Sequence, residues 1–172
     1  MMKNKITRID NFAWLPGHGS SGYIYANVDL ELHIGILYDQ TYKNKSQIRL
    51  RRFSFPLPSF FLEEASPGPS LLDSWAPEGT LTFNCLYEVE NSPWAKQWSE
   101  HWQRANSTFK HYGLSLEADN VLFQIVATGW KLSEPRVLCE NHNDKKDKYY
   151  SLIEQHGIEY LFLKDCYGQP FE

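Results

Sequence analysis

"YIYANVDLELHIGILYD", residues 23–39, decides the fold class. Its even positions, Ile24, Ala26, Val28, Leu30, Leu32, Ile34, Ile36 and Tyr38, are apolar without a break. The odd positions carry Asn27, Asp29, Glu31, His33 and Asp39. A period of two is the signature of a pleated strand with one side turned to a core and the other to water. The run reads either as one long bent strand or as two strands joined near Asp29. The polar "TYKNKS" (41–46) is then a turn, and "QIRLRRFSF" (47–55) resumes the extended pattern. Short connections of this kind give an antiparallel meander.

The same reasoning extends downstream. "TLTFNCLYEV" (80–89) alternates, with Leu81, Phe83, Cys85, Tyr87 and Val89 inward and Thr80, Thr82, Asn84 and Glu88 outward. In "YGLSLEADNVLFQIVATGWKL" (112–132), Leu114 and Leu116 alternate with Ser115 and Glu117. Turn residues Asp119 and Asn120 follow, and a longer apolar strand starts at Val121, which reads as a hairpin with a loop of about four residues. Residues 55–79 hold five prolines, yet Phe60, Phe61, Leu62, Leu71, Leu72 and Trp75 are too apolar for a solvated linker. This stretch reads as an ordered excursion packed on the domain. "CENHNDKKDK" (139–148) is polar, "DKYYSLIEQHG" (147–157) is a short helix stopped at Gly157, and "IEYLFLKDC" (158–166) is a closing strand.

One long helix stands out, over 92–109. Ser92 can cap its free amides, and Pro93 sits at the first helical position, where its missing donor costs nothing. Steps of four residues advance about 400° around a helix, so Trp94, Trp98, Trp102, Ala105 and Phe109 form one slowly winding stripe. Such a stripe must be buried, and the apolar face of a sheet is the natural receiver. The fold class is therefore α+β: a mainly antiparallel sheet, one amphipathic tryptophan-rich helix packed on it, and a short C-terminal helix. At 172 residues the expectation is a single domain, 1–172. Part of the tryptophan stripe is also open to a partner or ligand, since Trp is a common interface anchor.

Candidate chemistry is sparse. "PGHGSSG" (16–22) lacks the lysine and the following helix of a phosphate loop, and lacks the strand-to-helix elbow of a serine nucleophile. Cys139, His142 and Asp144 fall short of a four-ligand structural zinc site. Cys85 reads as a small core residue by its parity. Arg49 and Arg51 share a strand face with Gln47 while Arg52 points the other way, a solvated face that keeps a strand soluble. The expectation is no catalytic residue, no metal and no cofactor. Three widely spaced cysteines, Cys85, Cys139 and Cys166, do not suggest a disulfide framework. A net charge of -4 speaks against nucleic acid and anionic membrane as partners and suits a basic protein. No signal peptide or membrane-spanning run is visible, which gives a cytoplasmic expectation.

The order "YIYANVDLELHIGIL", "GTLTFNCLYEV", "HYGLSLEADNVLFQIVATGWKL" resembles small bacterial immunity proteins encoded beside polymorphic toxins, over roughly residues 20–132. The resemblance lies in strand lengths and apolar positions. It implies a protein that binds and blocks one cognate toxin, a basic domain, with no active site. Trp75 beside Asp73 and Glu78 would supply an aromatic anchor rimmed by negative charge. A second reading is a small-molecule-binding protein or small enzyme with a pocket between the tryptophan-rich helix and the sheet. The oligomeric state is not legible.

Overall fold

The computed structural model describes residues 5–17, 19–65, 83–102, 106–140 and 148–171. Strands dominate, at about 51% against 18% helix, in two antiparallel sheets with three helices among the described residues. The α+β class with mainly antiparallel sheet is the observed one. The chain divides into two compact units, Met1–Gly19 with Phe55–Trp130 and Ser20–Ser54 with Lys131–Glu172.

The first unit holds a five-stranded sheet. Its strands are β1 (Lys5–Asp10), β5 (Phe60–Ala65), β6 (Cys85–Glu90), β7 (Lys110–Leu116) and β8 (Val121–Ala127), in the order β1-β6-β7-β8-β5. The β7–β8 hairpin closes through the four residues 117–120, with Asn120 at φ 49°. Strand β6 starts later than its alternation suggests. Asn84 takes φ 54°, and Phe83 lies on the surface. A left-handed residue breaks the pleat, so Phe83 does not share the inward face that Cys85 takes, and Thr80, Leu81 and Thr82 lie outside the described residues. The proline-rich excursion also carries a strand that its composition hides. Phe60–Ala65 pairs with β8 in continuous register from Phe60↔Val126 to Ala65↔Val121.

Helix α1 (Pro93–His101) packs on one face of this sheet and is shorter than its stripe. Ala95 is buried with Phe109 and Val126, and Trp94, Trp98 and Phe60 pack against them. Trp102 caps the helix and stays 46% exposed. Phe109 joins the core from the segment entering β7, not from a third helical turn. Ala105 lies outside the described residues.

The second unit answers the opening question. The run at 23–39 is two strands, β2 (Gly22–Val28) and β3 (Glu31–Tyr42), joined by Asp29 and Leu30. Both turn residues have positive φ, 50° and 63°. A two-residue turn pairs Val28 with Glu31, so even positions of β2 share a face with odd positions of β3. The unbroken even-numbered stripe is thus split between opposite faces. Ile24 and Ala26 sit opposite Gly35 and His33, while Leu32, Ile34 and Ile36, fully buried, occupy the other face. His33 is consequently buried, against its expected place toward water. Strand β4 (Lys45–Pro56) follows a second positive-φ turn at Lys43 and Asn44. With β9 (Lys131–Leu132) paired to β4 and β10 (Arg136–Cys139) at the far edge, the order is β10-β4-β3-β2.

Two helices end the chain, α2 (Lys148–His156) and α3 (Ile158–Cys166), broken at Gly157 with φ 81°. The second replaces the closing strand expected from "IEYLFLKDC". Leu161, Phe162 and Asp165 are its buried residues, and this spacing of one and four fits a helical face better than alternation does. Phe162 seats against Leu50 and over Gly35, where a glycine leaves room for its ring. Among the described residues, no helix is long and apolar enough to cross a membrane.

Candidate functional site

The second unit contains a cleft of about 460 Å³ whose floor is built by β3, β4 and α3. Arg52 is its centre. The even parity of β4 turns this side chain away from Arg49 and Arg51, onto the face that α3 covers. Its Nε donates to Asp165 Oδ2 at 2.7 Å, and Nη1 donates to His33 Nδ1 at 2.8 Å and to Ser54 Oγ at 2.9 Å. Asp165, 4% exposed, also accepts from Arg136 Nη1 at 2.8 Å. The Arg136 guanidinium in turn lies 3.8 Å over the Phe171 ring. Arg52 is only 16% exposed and β4 is an interior strand, so the solvated-face expectation fails for it. A strand arginine with a buried aspartate partner is a structural and electrostatic centre, not a solubilising edge.

The polarity of this network follows from the donors. Arginine can only donate, so His33 Nδ1 accepts and its proton resides on Nε2. Burial first, and then the Arg52 charge, hold His33 below the usual histidine range, and the neutral ring is the form that fits. Cys166 also lines the cleft, but burial pushes its thiol up to about 11. It is therefore protonated and a poor nucleophile at neutral pH.

The first unit holds a second polar chain, beneath α1. Gln124 Nε2 donates to the Glu64 carboxylate, so Gln124 Oε1 faces His111 Nε2 at 3.1 Å and accepts its proton. His111 Nδ1 then accepts from the Ser92 hydroxyl at 2.9 Å. Ser92 also caps α1, accepting from the Ala95 amide at 3.4 Å. Burial lowers His111 to about 4, so the ring stays neutral. Trp94 covers it at 5.1 Å between centroids. Both ring nitrogens are occupied, and the chain ties helix to sheet.

A cleft of about 470 Å³ does run along α1, lined by Ser92, Ala95, Lys96 and Ser99 with Val89 and Phe109. None of the tryptophans lines it. Trp75, Asp73 and Glu78, the expected partner contacts, lie outside the described residues, as do His142 and Asp144. Cys85 and Cys139 are buried, Cys166 is half-buried, and none of the three forms a disulfide. Among the described residues no group of three metal-ligating side chains converges.

The feature that the alternation hid is the surface position of Leu30 in the β2–β3 turn, the turn itself being one of the two readings of the run. Leu30 is 77% exposed at φ 63°. The alternation counted it as core, because it belongs to an unbroken even-numbered run. The signal available was Asp29, a short polar residue of the kind that turns favour, in the middle of the run. Searches of protein-family models, curated proteins and solved structures found nothing that matches this chain.

Proposed function

We propose that this protein acts by binding another protein of basic surface, with the tip of the β2–β3 hairpin as an anchor. The carrying observation is Leu30. Two-residue hairpin turns with positive φ favour Asn and Gly, and a leucine there costs about 1–2 kcal/mol in backbone strain. It gains nothing back from burial, being 77% exposed. A strained, exposed apolar side chain that folding does not explain is what a binding anchor looks like before its partner arrives. Asp29 and Glu31 flank it with negative charge, which speeds encounter with a basic surface.

The commitments of the titratable groups support a binder over an enzyme. His33 and His111 are held neutral chiefly by burial, with their ring nitrogens engaged inside the fold, and Cys166 is a protonated thiol. In its specific form, the proposal is an immunity protein that neutralises a cognate toxin, which rests on the sequence resemblance. Trp75, Asp73 and Glu78 remain further contact candidates within it.

Co-purification from the native host, followed by reconstitution with the identified partner, tests the reading. Leu30→Gly should relax the turn and raise stability by about 1 kcal/mol. It should also weaken the partner's affinity by about tenfold or more. A wild-type protein that captures no stoichiometric partner, or a Leu30→Gly variant that binds undiminished, overturns it.

A further inference from the structure

The cleft of the second unit has a charge pattern that the fold does not require. Its floor is a cation with a spare donor. Arg52 spends Nε and Nη1 on Asp165, His33 and Ser54, while Nη2 has one long contact, 3.4 Å to the Asp165 carbonyl. One Nη2–H therefore has no partner among the described residues, on a guanidinium whose orientation three other bonds fix. His33 cannot relieve that charge, because it is the acceptor in the same network. Two guanidinium groups, Arg52 and Arg136, share the single carboxylate of Asp165, so the network carries a net positive charge.

The rim adds one cation and two anions. Lys131, largely exposed, and Glu31 stand 3.9 Å apart, too far for a hydrogen bond, and Asp29 lines the same opening. Val28 and Leu132 give the walls an apolar part. Two cations and two carboxylates thus face one polar cleft whose volume is in the range of small-ligand sites.

We propose that this cleft binds a small zwitterion, a free α-amino acid, with its carboxylate toward Arg52 and Lys131 and its ammonium toward Glu31 and Asp29. A ligand with one charge would satisfy half of the lining and leave the other half desolvated without a partner. The zwitterion satisfies both. Its two charges are close together, as are Lys131 and Glu31, and its entry replaces their loose pairing with direct bonds. Arg52 supplies orientation: its fork is immobilised before the ligand arrives, so little rotamer freedom is lost on binding.

Isotope-labelled protein titrated with the standard L-α-amino acids one at a time, with acetate and methylammonium as one-charge controls, tests this. At least one amino acid should shift the amide signals of Val28, Leu132 and Ser133, and neither control should. Lys131→Met and Glu31→Gln alter exposed or half-exposed side chains and should keep the wild-type circular dichroism spectrum. Each should weaken the amino acid by about tenfold, the loss of one charge-assisted contact. No shift with any amino acid overturns the proposal, as does acetate binding as tightly, or binding that both variants leave unchanged.

Discussion

Replacing Gly35 with alanine probes the packing of α3 on the second sheet. A glycine inside a strand ordinarily costs about 0.5–1 kcal/mol relative to alanine, so on backbone grounds the substitution should stabilise. The space says otherwise. A Cβ at Gly35 would stand 2.6 Å from Phe162 Cε2, 2.8 Å from Leu50 Cδ1 and 2.9 Å from Phe162 Cδ2. Phe162 and Leu50 are themselves almost wholly buried, so neither has solvent to move into. Overpacking of this kind costs about 1–3 kcal/mol, which exceeds the backbone gain and fixes the sign. We predict a net loss of about 1–2 kcal/mol in urea unfolding followed by circular dichroism. Trimming the ring opens the same space from the other side. Gly35→Ala combined with Phe162→Leu should therefore be less destabilising than the sum of the two by about 1 kcal/mol. A neutral or stabilising Gly35→Ala, or strict additivity, would show that Phe162 does not rest on Gly35.

Three further outcomes are expected. Asp165→Asn removes the charge shared by two guanidinium groups at 2.7 and 2.8 Å, and should cost about 3 kcal/mol in the same urea assay; a loss under about 1 kcal/mol would mean the arginines are solvated without it. His111, lowered to about 4 by burial, binds its proton more weakly folded than unfolded. Its contribution is therefore complete above the unfolded value of 6.5 and is lost as pH falls toward 4, by about 3 kcal/mol in all. His33, shifted the same way, adds to the slope, and His111→Gln should flatten the pH dependence without abolishing it; an unchanged slope refutes the assignment. Trp98→Ala should lower stability by about 2–3 kcal/mol and Trp102→Ala by no more than about 0.5 kcal/mol, since only the first packs on the sheet; equal effects would restore the longer helix.

What the sequence showed depended on how local the cause was. The start of α1 was legible because capping is settled within a turn. Ser92 and Pro93 carry it, and Ser92 caps as expected. The β7–β8 hairpin was legible for a similar reason: a short loop with the turn residues Asp119 and Asn120, set between an alternating run and an apolar one, leaves one economical register. The length of α1 was not, because a tryptophan step of four stays periodic whether the backbone is helical or not. Residues 158–166 misled for the opposite reason, since a short apolar run carries no period strong enough to separate strand from helix. Phe162 seated over Gly35 decides that case, and it is a contact between residues more than a hundred positions apart.

The same distinction governs the site. Arg52 and Arg49 look alike in "RLRRF", and the parity that separates them is visible in sequence. What parity cannot supply is the identity of the cover. Arg49 turns to Gln47 on its own strand, while Arg52 meets Asp165 from the last helix. Had 158–166 been a strand, with Asp165 alternating to water, the arginine would have needed another partner or solvent. The misread helix and the misread arginine are therefore one error. Placing α3 on the sheet brings its buried aspartate to the arginine, and the arginine then fixes the tautomer of His33. A cleft with oriented charge at its floor is the consequence of that single packing decision.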